Sequence, residues 1–160
     1  DHVAEVTYND VTTPYETWDE ALAAAKADGV SGAIIKLKMD IPDVLTMVQT
    51  IDRPMTIDLN NHSINGSVNN LFTISSPNVV ITDNSVAKGG AITLTSADTR
   101  VTYTMTITSG GQLTLENGSI INKNTYTGAD KGTARGLEVQ AGATLKMTGG
   151  YVEAQSAQTA

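Results

Sequence analysis

One pattern of apolar residues recurs four times along the chain, and this recurrence constrains the fold more than any other feature of the sequence. Residues 49–64 read QTIDRPMTIDLNNHSI and residues 105–120 read MTITSGGQLTLENGSI, which places like residues at a constant offset of 56. Residues 137–152 repeat the pattern at a further offset of 32, and residues 72–86 carry a copy that is one residue shorter. No helical pattern separates the copies, so the chain is predicted to be a repeat protein.

Each copy predicts two short strands that are separated by turns. Apolar and polar residues alternate within a copy, so that one face of each strand meets a core and the other meets water. Turn residues such as Gly110 and Gly111 fall between the alternating runs. We expect the apolar positions of successive copies to lie over one another in four columns, which are Ile51, Ile74, Ile107 and Val139; Ile57, Val79, Leu113 and Leu145; Leu59, Ile81, Leu115 and Met147; and Ile64, Val86, Ile120 and Val152.

Stacked copies share one continuous core, whereas a single copy cannot bury its apolar face alone. Each strand then bonds to its equivalent in the neighbouring copies, which makes the sheets parallel. An antiparallel sandwich is the competing arrangement, but it does not require equivalent residues to return at fixed offsets. The predicted fold is therefore all-β, a right-handed parallel β-helix, in which residues 32–160 form the stacked copies and Ala33–Ile41 an incomplete first one.

A short helix is predicted before the repeats. Thr17, followed three residues later by Glu20, forms a capping box for a helix that begins at Trp18. The helix is expected to reach about Asp28, with Gly29 at its C-terminal cap. Such a short, Ala-rich helix needs a surface to pack on. We expect it to cover the exposed end of the stack, as a terminal cap does in repeat proteins.

The chain is expected to be a single domain over residues 1–160. Residues 1–31 supply the capping helix and, before it, a hairpin around Asn9-Asp10, where two short alternating runs meet. The sequence starts and stops abruptly, so we expect a fragment of a longer protein that is truncated within its repeats at the C-terminal end.

Composition excludes several functional classes. The net charge is −7, which disfavours a nucleic-acid partner. The sequence has no Cys, so it has neither a disulfide framework nor a thiolate metal site. No apolar run approaches the length that spans a membrane, and membrane insertion is not expected.

The sequence resembles a known family in three successive runs. These are T-x-x-E-A-L-A-A-A from Thr17, A-I-I-K-L-K-x-D-I from Ala33 and R-P-M-T-I-D-L-N-N-H-S-I from Arg53. They look like the N-terminal part of pectin-lyase-like β-helix domains in large surface proteins of Gram-positive and gut bacteria. The resemblance covers nearly the whole chain and is strongest over residues 12–86. It implies an extracellular, cell-surface location with wall attachment in the full-length protein, and an adhesin-like role.

Catalytic activity is not predicted, although the fold of that family also houses polysaccharide lyases and hydrolases. A lyase needs a carboxylate cluster for calcium and a basic residue, and a hydrolase needs two or three converging carboxylates. We expect no outward column to stack two carboxylates on adjacent copies. The predicted columns are Asp52, Ser75, Thr108 and Gln140; Asp58, Val80, Thr114 and Lys146; and Asn60, Thr82, Glu116 and Thr148.

Polar residues in the turns are interpreted as structural. His2 is terminal, and His62 lies in a turn without a partner at metal-ligand spacing, so neither a metal site nor a cofactor is predicted. Asn61, Asp83 and Asn117 align at one corner. They predict a stack of polar side chains that satisfies backbone groups at the bends.

Two inserts carry the candidate binding residues. Equivalent residues are 23 apart between Ile51 and Ile74, but 33 and 32 apart in the next two intervals, which assigns extra residues to 87–103 and 121–136. Inserts at equivalent positions of neighbouring copies project from one side. Tyr and Arg are enriched in binding surfaces. The candidate ligand-binding residues are Arg100, Tyr103, Lys123, Asn124, Tyr126, Asp130, Lys131 and Arg135.

The predicted function is a non-catalytic surface module that binds a host or microbial macromolecule. The expected partner is a glycoprotein such as mucin, a glycan or an immunoglobulin. Two alternatives remain open. One is a structural stalk or spacer without a ligand, and the other is a fragment of a polysaccharide-degrading β-helix enzyme.

Overall fold

The structure, a computed structural model, describes residues 1–128 and 133–157 of the chain. The described part consists of short strands and one helix. In chain order these are β1 (Ala4–Tyr8), β2 (Val11–Tyr15), α1 (Trp18–Ala25), β3 (Ala33–Leu37), β4 (Gln49–Ile51), β5 (Met55–Asp58), β6 (Ser63–Gly66), β7 (Asn70–Ile74), β8 (Val79–Thr82), β9 (Ala91–Ser96), β10 (Val101–Ile107), β11 (Gln112–Leu115), β12 (Ser119–Asn124), β13 (Thr133–Val139), β14 (Thr144–Met147) and β15 (Tyr151–Ser156).

The strands form three sheets that the chain visits in turn. The first sheet contains β4, β7, β10 and β13, and the third contains β6, β9, β12 and β15. The second sheet has the order β14-β11-β8-β5-β3-β1-β2. From β4 onward the chain passes from the first sheet to the second, to the third and back, and we call each such passage a circuit. All pairs among β3 to β15 are parallel. The predicted all-β class and parallel sheets are confirmed.

The first predicted column of apolar residues is confirmed. Ile51 pairs with Ile74, Ile74 with Ile107, and Ile107 with Val139. The three isoleucines are fully buried, and burial of each such side chain stabilises the fold by about 1.5–3 kcal/mol. Val139 is 44% exposed, because no strand of the described part covers the outer edge of β13.

The prediction for the second and third columns was wrong in the first copy, where the register differs by two residues. Met55 rather than Ile57 shares a column with Val79 and Leu113, and Ile57 rather than Leu59 shares one with Leu115. The cause is the length of the corner between the first-sheet strand and the second-sheet strand. Met55 follows Ile51 by four residues, whereas Leu113 follows Ile107 by six. The other predicted pairs, of Leu113 with Leu145 and of Leu115 with Met147, are confirmed.

The fourth column was wrong at Val86. Ile64 pairs with Ile92, Ile92 with Ile120, and Ile120 with Val152, whereas Val86 is fully exposed. Residues 91–95 were assigned to the first insert, but they lie in the third-sheet strand of their circuit. Most of the described residues of the predicted inserts lie in the strands β9, β10, β12 and β13. The connecting loops are residues 97–100 and a second loop that begins at residue 125.

The N-terminal hairpin and helix are confirmed with two differences. Asn9 and Asp10 both have positive φ, as the tight turn between β1 and β2 requires. The hairpin joins the second sheet, since β1 pairs antiparallel with β3. The capping box of Thr17 is present, but the helix ends at Ala25 and not near Asp28. Gly29, with φ of +80°, lies beyond the helix in the turn that follows it.

The helix covers the N-terminal end of the stack, as predicted. The Trp18 ring packs edge-on against Phe72 at a centroid distance of 6.2 Å. Lys26 Nζ donates to the carbonyl oxygen of Thr50 at 2.7 Å. Because β4 has a sheet neighbour on one side only, this bond satisfies a carbonyl group at the edge of the first sheet.

Candidate functional site

The connections from the third sheet back to the first follow one edge of the molecule, and we call residues 67–70, 97–103, 125–128 and 133–138 the insert corner. The alternation of buried residues is interrupted here in two first-sheet strands: Leu71 and Phe72 are both buried in β7, and Thr104 to Ile107 are all buried in β10. In a regular strand, alternate residues face the same side. The interruption leaves Tyr103 less buried than Thr104 and Met105, which follow it.

Three side chains form a row across the outer face of this corner. Tyr103 pairs in register with Asn70 on one side and Arg135 on the other. The Arg135 guanidinium lies 5.6 Å from the centroid of the Tyr103 ring, within the range of a cation–π interaction. The Glu138 carboxylate, chiefly as a hydrogen-bond partner, raises the pKa of the Tyr103 hydroxyl, and Arg135 opposes this effect.

A second row lies beside the first. Thr73 pairs with Thr106, and Thr106 with Glu138. Asn70 joins the two rows, since its Nδ2 donates to Thr73 Oγ1 at 2.9 Å and its Oδ1 accepts from Thr106 Oγ1 at 3.3 Å. The outer face therefore presents a ring, a guanidinium, an amide, the Thr73 hydroxyl and a carboxylate from three neighbouring strands, whereas Thr106 is buried.

Arg100 lies on the loop next to these rows, where local contacts hold it. Its Nε and Nη2 donate to both carboxylate oxygens of Asp98, the shortest distance being 2.7 Å, and its backbone N donates to Asp98 Oδ1. Asn69 completes the cluster, since its Nδ2 donates to Asp98 and its Oδ1 accepts from Arg100, each at 2.9 Å, in the amide orientation that satisfies both. The Arg100 hydrogen bonds lower the pKa of Asp98 to about 2. The Arg100 side chain is 71% exposed and thus accessible from solvent.

The other predicted site residues do not join this outer face. Lys123 is exposed on β12, in register with Thr95 and Gln155, and so belongs to the third sheet. Asn124 is buried; its Nδ2 donates to the Asp98 carbonyl oxygen at 3.0 Å and its Oδ1 accepts from the Tyr126 backbone N at 2.9 Å.

Tyr126 is half-buried, and its ring packs against the backbone of Gly128. Asp130 and Lys131 lie outside the described residues. Of the eight predicted residues, the structure places Tyr103 and Arg135 in contact on the outer face of the insert corner and Arg100 on the loop beside them.

A buried amide supports the corner from inside. Asn122 is fully buried at the inward position that Leu94 occupies one circuit earlier. Its Nδ2 donates to the carbonyl oxygens of Thr102 (3.0 Å) and Arg135 (2.9 Å). Asn122 thus joins β12 to β10 and β13 and positions the backbone of Arg135.

The sequence pattern did not indicate that Asn122, Asn69, Asn70 or Glu138 belongs to the site. The alternation pattern marks polar residues as outward, which hides an inward Asn. Glu138 had a signal in the sequence, since it follows Thr106 at the offset of 32 that relates the third and fourth copies.

Asp58 was predicted in an outward column, and this was wrong. It pairs with Thr82, whereas Thr56 takes the place beside Val80. Asp58 is 4% exposed, and its carboxylate accepts from the backbone N of Asn60 (3.0 Å) and of Asn84 (3.1 Å). It faces inward because it satisfies N–H groups at the corner after β5.

Asp83 has the same role one circuit later. It is fully buried, and its Oδ2 accepts from the backbone N of Asn61 (3.0 Å) and Gly90 (2.7 Å). Its Oδ1 accepts from the backbone N and the hydroxyl of Ser85. Of the predicted stack of Asn61, Asp83 and Asn117, the contact between the first two positions is present, and there the Asp83 carboxylate satisfies a backbone N–H group as expected.

The histidines form simple surface pairs. His2 Nε2 lies 3.0 Å from Glu5 Oε1, and His62 Nδ1 lies 3.3 Å from Asp40 Oδ1. Within residues 1–128 and 133–157, His, Asp and Glu side chains form no group of three that could hold a metal ion.

Comparison with known proteins gives no match, since no family model, no curated protein and no solved structure matches this chain. The resemblance to pectin-lyase-like domains therefore stays a prediction. In the part of the chain that the structure describes, no helix is both long and apolar enough to cross a membrane.

Proposed function

We propose that the chain is a right-handed parallel β-helix that acts as a non-catalytic binding module on a bacterial surface, with the outer face of the insert corner as its binding site. The cyclic order of the three sheets supports the β-helix. Connections between parallel strands are right-handed in about 98% of cases, which supports the handedness. The surface location rests on the family resemblance alone.

The row of Asn70, Tyr103 and Arg135 is the observation that carries the binding proposal. Tyr and Arg dominate the energetics of binding surfaces because they combine a large apolar area with directed polar groups. Here they lie on neighbouring strands and not on loop tips, and such sites are held more rigidly. A host glycoprotein, a glycan or an immunoglobulin fits this mixture of ring, amide and charge.

The use made of the carboxylates supports the absence of catalysis. Asp58 and Asp83 occupy successive circuits, but both are buried and accept hydrogen bonds from backbone N–H groups. Asp98 is bound by Arg100. A general acid or nucleophile of a glycosidase must instead point at the substrate with free oxygens.

The test compares Arg135→Gln with Lys123→Gln, measured against immobilised purified gastric mucin and immunoglobulin G by surface plasmon resonance. Both substitutions remove one positive charge from an exposed strand position, but on different sheets. We expect saturable binding to one of the two probes, weakened about tenfold or more by Arg135→Gln. Lys123→Gln should stay within about twofold of the unmodified chain.

Equal losses in the two variants would show that net charge and not the insert corner governs binding. Saturable binding that Arg135→Gln leaves unchanged would place the site elsewhere. If neither probe binds, the spacer alternative gains support. Release of reducing sugars from polygalacturonate would contradict the non-catalytic assignment.

A further inference from the structure

A groove beside the start of α1 presents apolar side chains within a rim of carboxylates. It consists of two cavities of 150 and 400 Å³ that share Asp19, Asp43 and Leu45. The smaller lies between residues 16–19 and 41–45, and the larger follows residues 43–49. We call these residues together the α1 groove. They are different from the residues of the insert corner.

The apolar residues of the groove are unusually exposed. Val44, Met47 and Val48 are 57%, 73% and 47% exposed, although they lie within five residues of one another. Single exposed apolar residues are common on soluble proteins, but clustered ones mark interaction sites. Leu45 is half-buried between them and packs on the core.

The floor of the groove is held in place by hydrogen bonds. Trp18 Nε1 donates to Gln49 Oε1 at 2.9 Å, and Gln49 Nε2 donates to the Met47 carbonyl oxygen at 2.9 Å. Trp18 and Gln49 are both buried. The Leu45 backbone N donates to the Asn65 carbonyl oxygen at 2.8 Å, which fixes the segment to β6. A preformed site of this kind loses little conformational freedom when it is occupied.

The rim of the groove carries uncompensated negative charge. Glu16, Asp19 and Asp43 line it and are exposed. All ion pairs found in the described part of the chain involve other residues. No Lys, Arg or His is among the lining residues. These carboxylates repel one another, and a positively charged group beside them would relieve that repulsion.

We propose that the α1 groove binds a basic amphipathic segment of a partner protein. Its apolar side chains pack on Val44, Met47 and Val48, and its Lys or Arg side chains pair with the carboxylates of the rim. The apolar contacts supply area, and the charges select a basic segment over an acidic one. The proposal does not depend on the insert corner and goes beyond the function proposed for it.

The expected loss of affinity in the groove variants follows from the solvent exposure of the rim carboxylates. Exposed ion pairs contribute little each, so loss of two carboxylates should weaken binding about threefold to tenfold. Salt screens exposed charges over about 8 Å at physiological ionic strength, so the effect of the two carboxylates should shrink in about 0.5 M NaCl. Loss of two exposed apolar side chains should weaken binding to a similar extent at either salt concentration.

The test uses a fluorescein-labelled amphipathic peptide of Lys and Leu and a matched peptide of Glu and Leu, titrated with the whole chain and followed by fluorescence anisotropy. Asp19→Asn/Asp43→Asn removes rim charge, and Val44→Ser/Met47→Ser removes apolar area. Asp10→Asn/Glu116→Gln is the matched control, since it changes the net charge by the same amount at exposed positions away from the groove. Circular dichroism verifies that each variant is folded.

The proposal requires saturable binding of the Lys/Leu peptide that both groove variants weaken about threefold to tenfold and that the control leaves within about 1.5-fold. An equal loss in the control would overturn it, because attraction to the acidic chain as a whole would then explain binding. Equal binding of the Glu/Leu peptide, an unchanged Val44→Ser/Met47→Ser variant, or no saturable binding of the Lys/Leu peptide would also overturn it.

Discussion

Asp83 is predicted to hold two successive circuits together, and Asp83→Asn tests that role. The carboxylate is fully buried and accepts from the backbone N–H groups of Asn61, Ser85 and Gly90. Asn has the same size, but one acceptor oxygen becomes an NH₂ group that faces N–H donors. The substitution therefore removes part of the hydrogen bonds and the charge that strengthens the others.

The expected loss can be worked out from these contacts. A hydrogen bond to a charged group contributes about 1.5–3 kcal/mol, so loss of the two bonds to one oxygen lowers the free energy of unfolding by about 3–6 kcal/mol. In a chain of this size each kcal/mol lowers the Tm by about 2–4 °C, which predicts a fall of about 6–24 °C. Glu116→Gln, at an exposed position one circuit later, should change the free energy by less than about 0.5 kcal/mol.

The pH dependence follows from the pKa of Asp83. Burial by itself raises this pKa, but the hydrogen bonds from Ser85, Gly90 and Asn61 outweigh it and hold the pKa below its ordinary value of 3.8. The folded state then binds the proton less tightly than the unfolded state. The stabilisation is fully present above the unfolded-state pKa and is lost as the pH falls through the folded-state pKa.

The assay is urea unfolding of the unmodified chain, Asp83→Asn and Glu116→Gln at pH 7, 5 and 3, followed by circular dichroism. The gap between the unmodified chain and Asp83→Asn should be equal at pH 7 and 5 and smaller at pH 3. A gap below about 1 kcal/mol at pH 7, where loss of even one such bond costs more, would refute the reasoning. So would a gap that does not change with pH.

Three further predictions concern other parts of the stack. Ile107→Ala empties a buried column position and should lower the free energy of unfolding by about 2–5 kcal/mol in urea, and a loss below about 1 kcal/mol would contradict the column. Gly111→Ala should destabilise more than Gly110→Ala in the same assay. A Cβ at position 111 collides with the Ile74 carbonyl oxygen, whereas a Cβ at position 110 has open space and costs only the backbone strain of its φ of +84°. The reverse order would contradict the packing of this corner. The Asp98 carboxyl should titrate at a pH of about 2 by NMR, because the neighbouring guanidinium favours its charged form, and a midpoint near 4 would show that their ion pair is absent in solution.

The residue types of the candidate site could be predicted from the sequence, but the positions of their side chains could not. Arg100, Tyr103 and Arg135 were predicted from residue type, and the structure brings them to one corner. Asn124 was predicted with them, but it is buried. Whether a polar residue near a corner faces in or out depends on where the alternation within the strand is interrupted, and no sequence period reports that position.

The error at Ile57 shows the same limit within the fold. The repeat pattern predicted that Ile57 shares a column with Leu113. In the structure Met55 takes that place, since Val79, on the strand between them, pairs with both Met55 and Leu113. A shift of two residues keeps every side chain on its own face. Both alignments therefore satisfy the alternation equally well, and only the length of the corner distinguishes them.

The sequence by itself determined the parallel stacking and the column that begins at Ile51, because like residues that return in every copy lie over one another in parallel strands, whereas an antiparallel sandwich does not require that return. The tertiary structure decided which third-sheet strand completes each circuit, with Ile92 in the core and Val86 in solvent. It also decided which polar groups are buried, since Asn122 and Asp83 lie inside. The physical reason is that backbone N–H and C=O groups at each corner need partners, and which side chains can reach them depends on strands that are distant in the sequence.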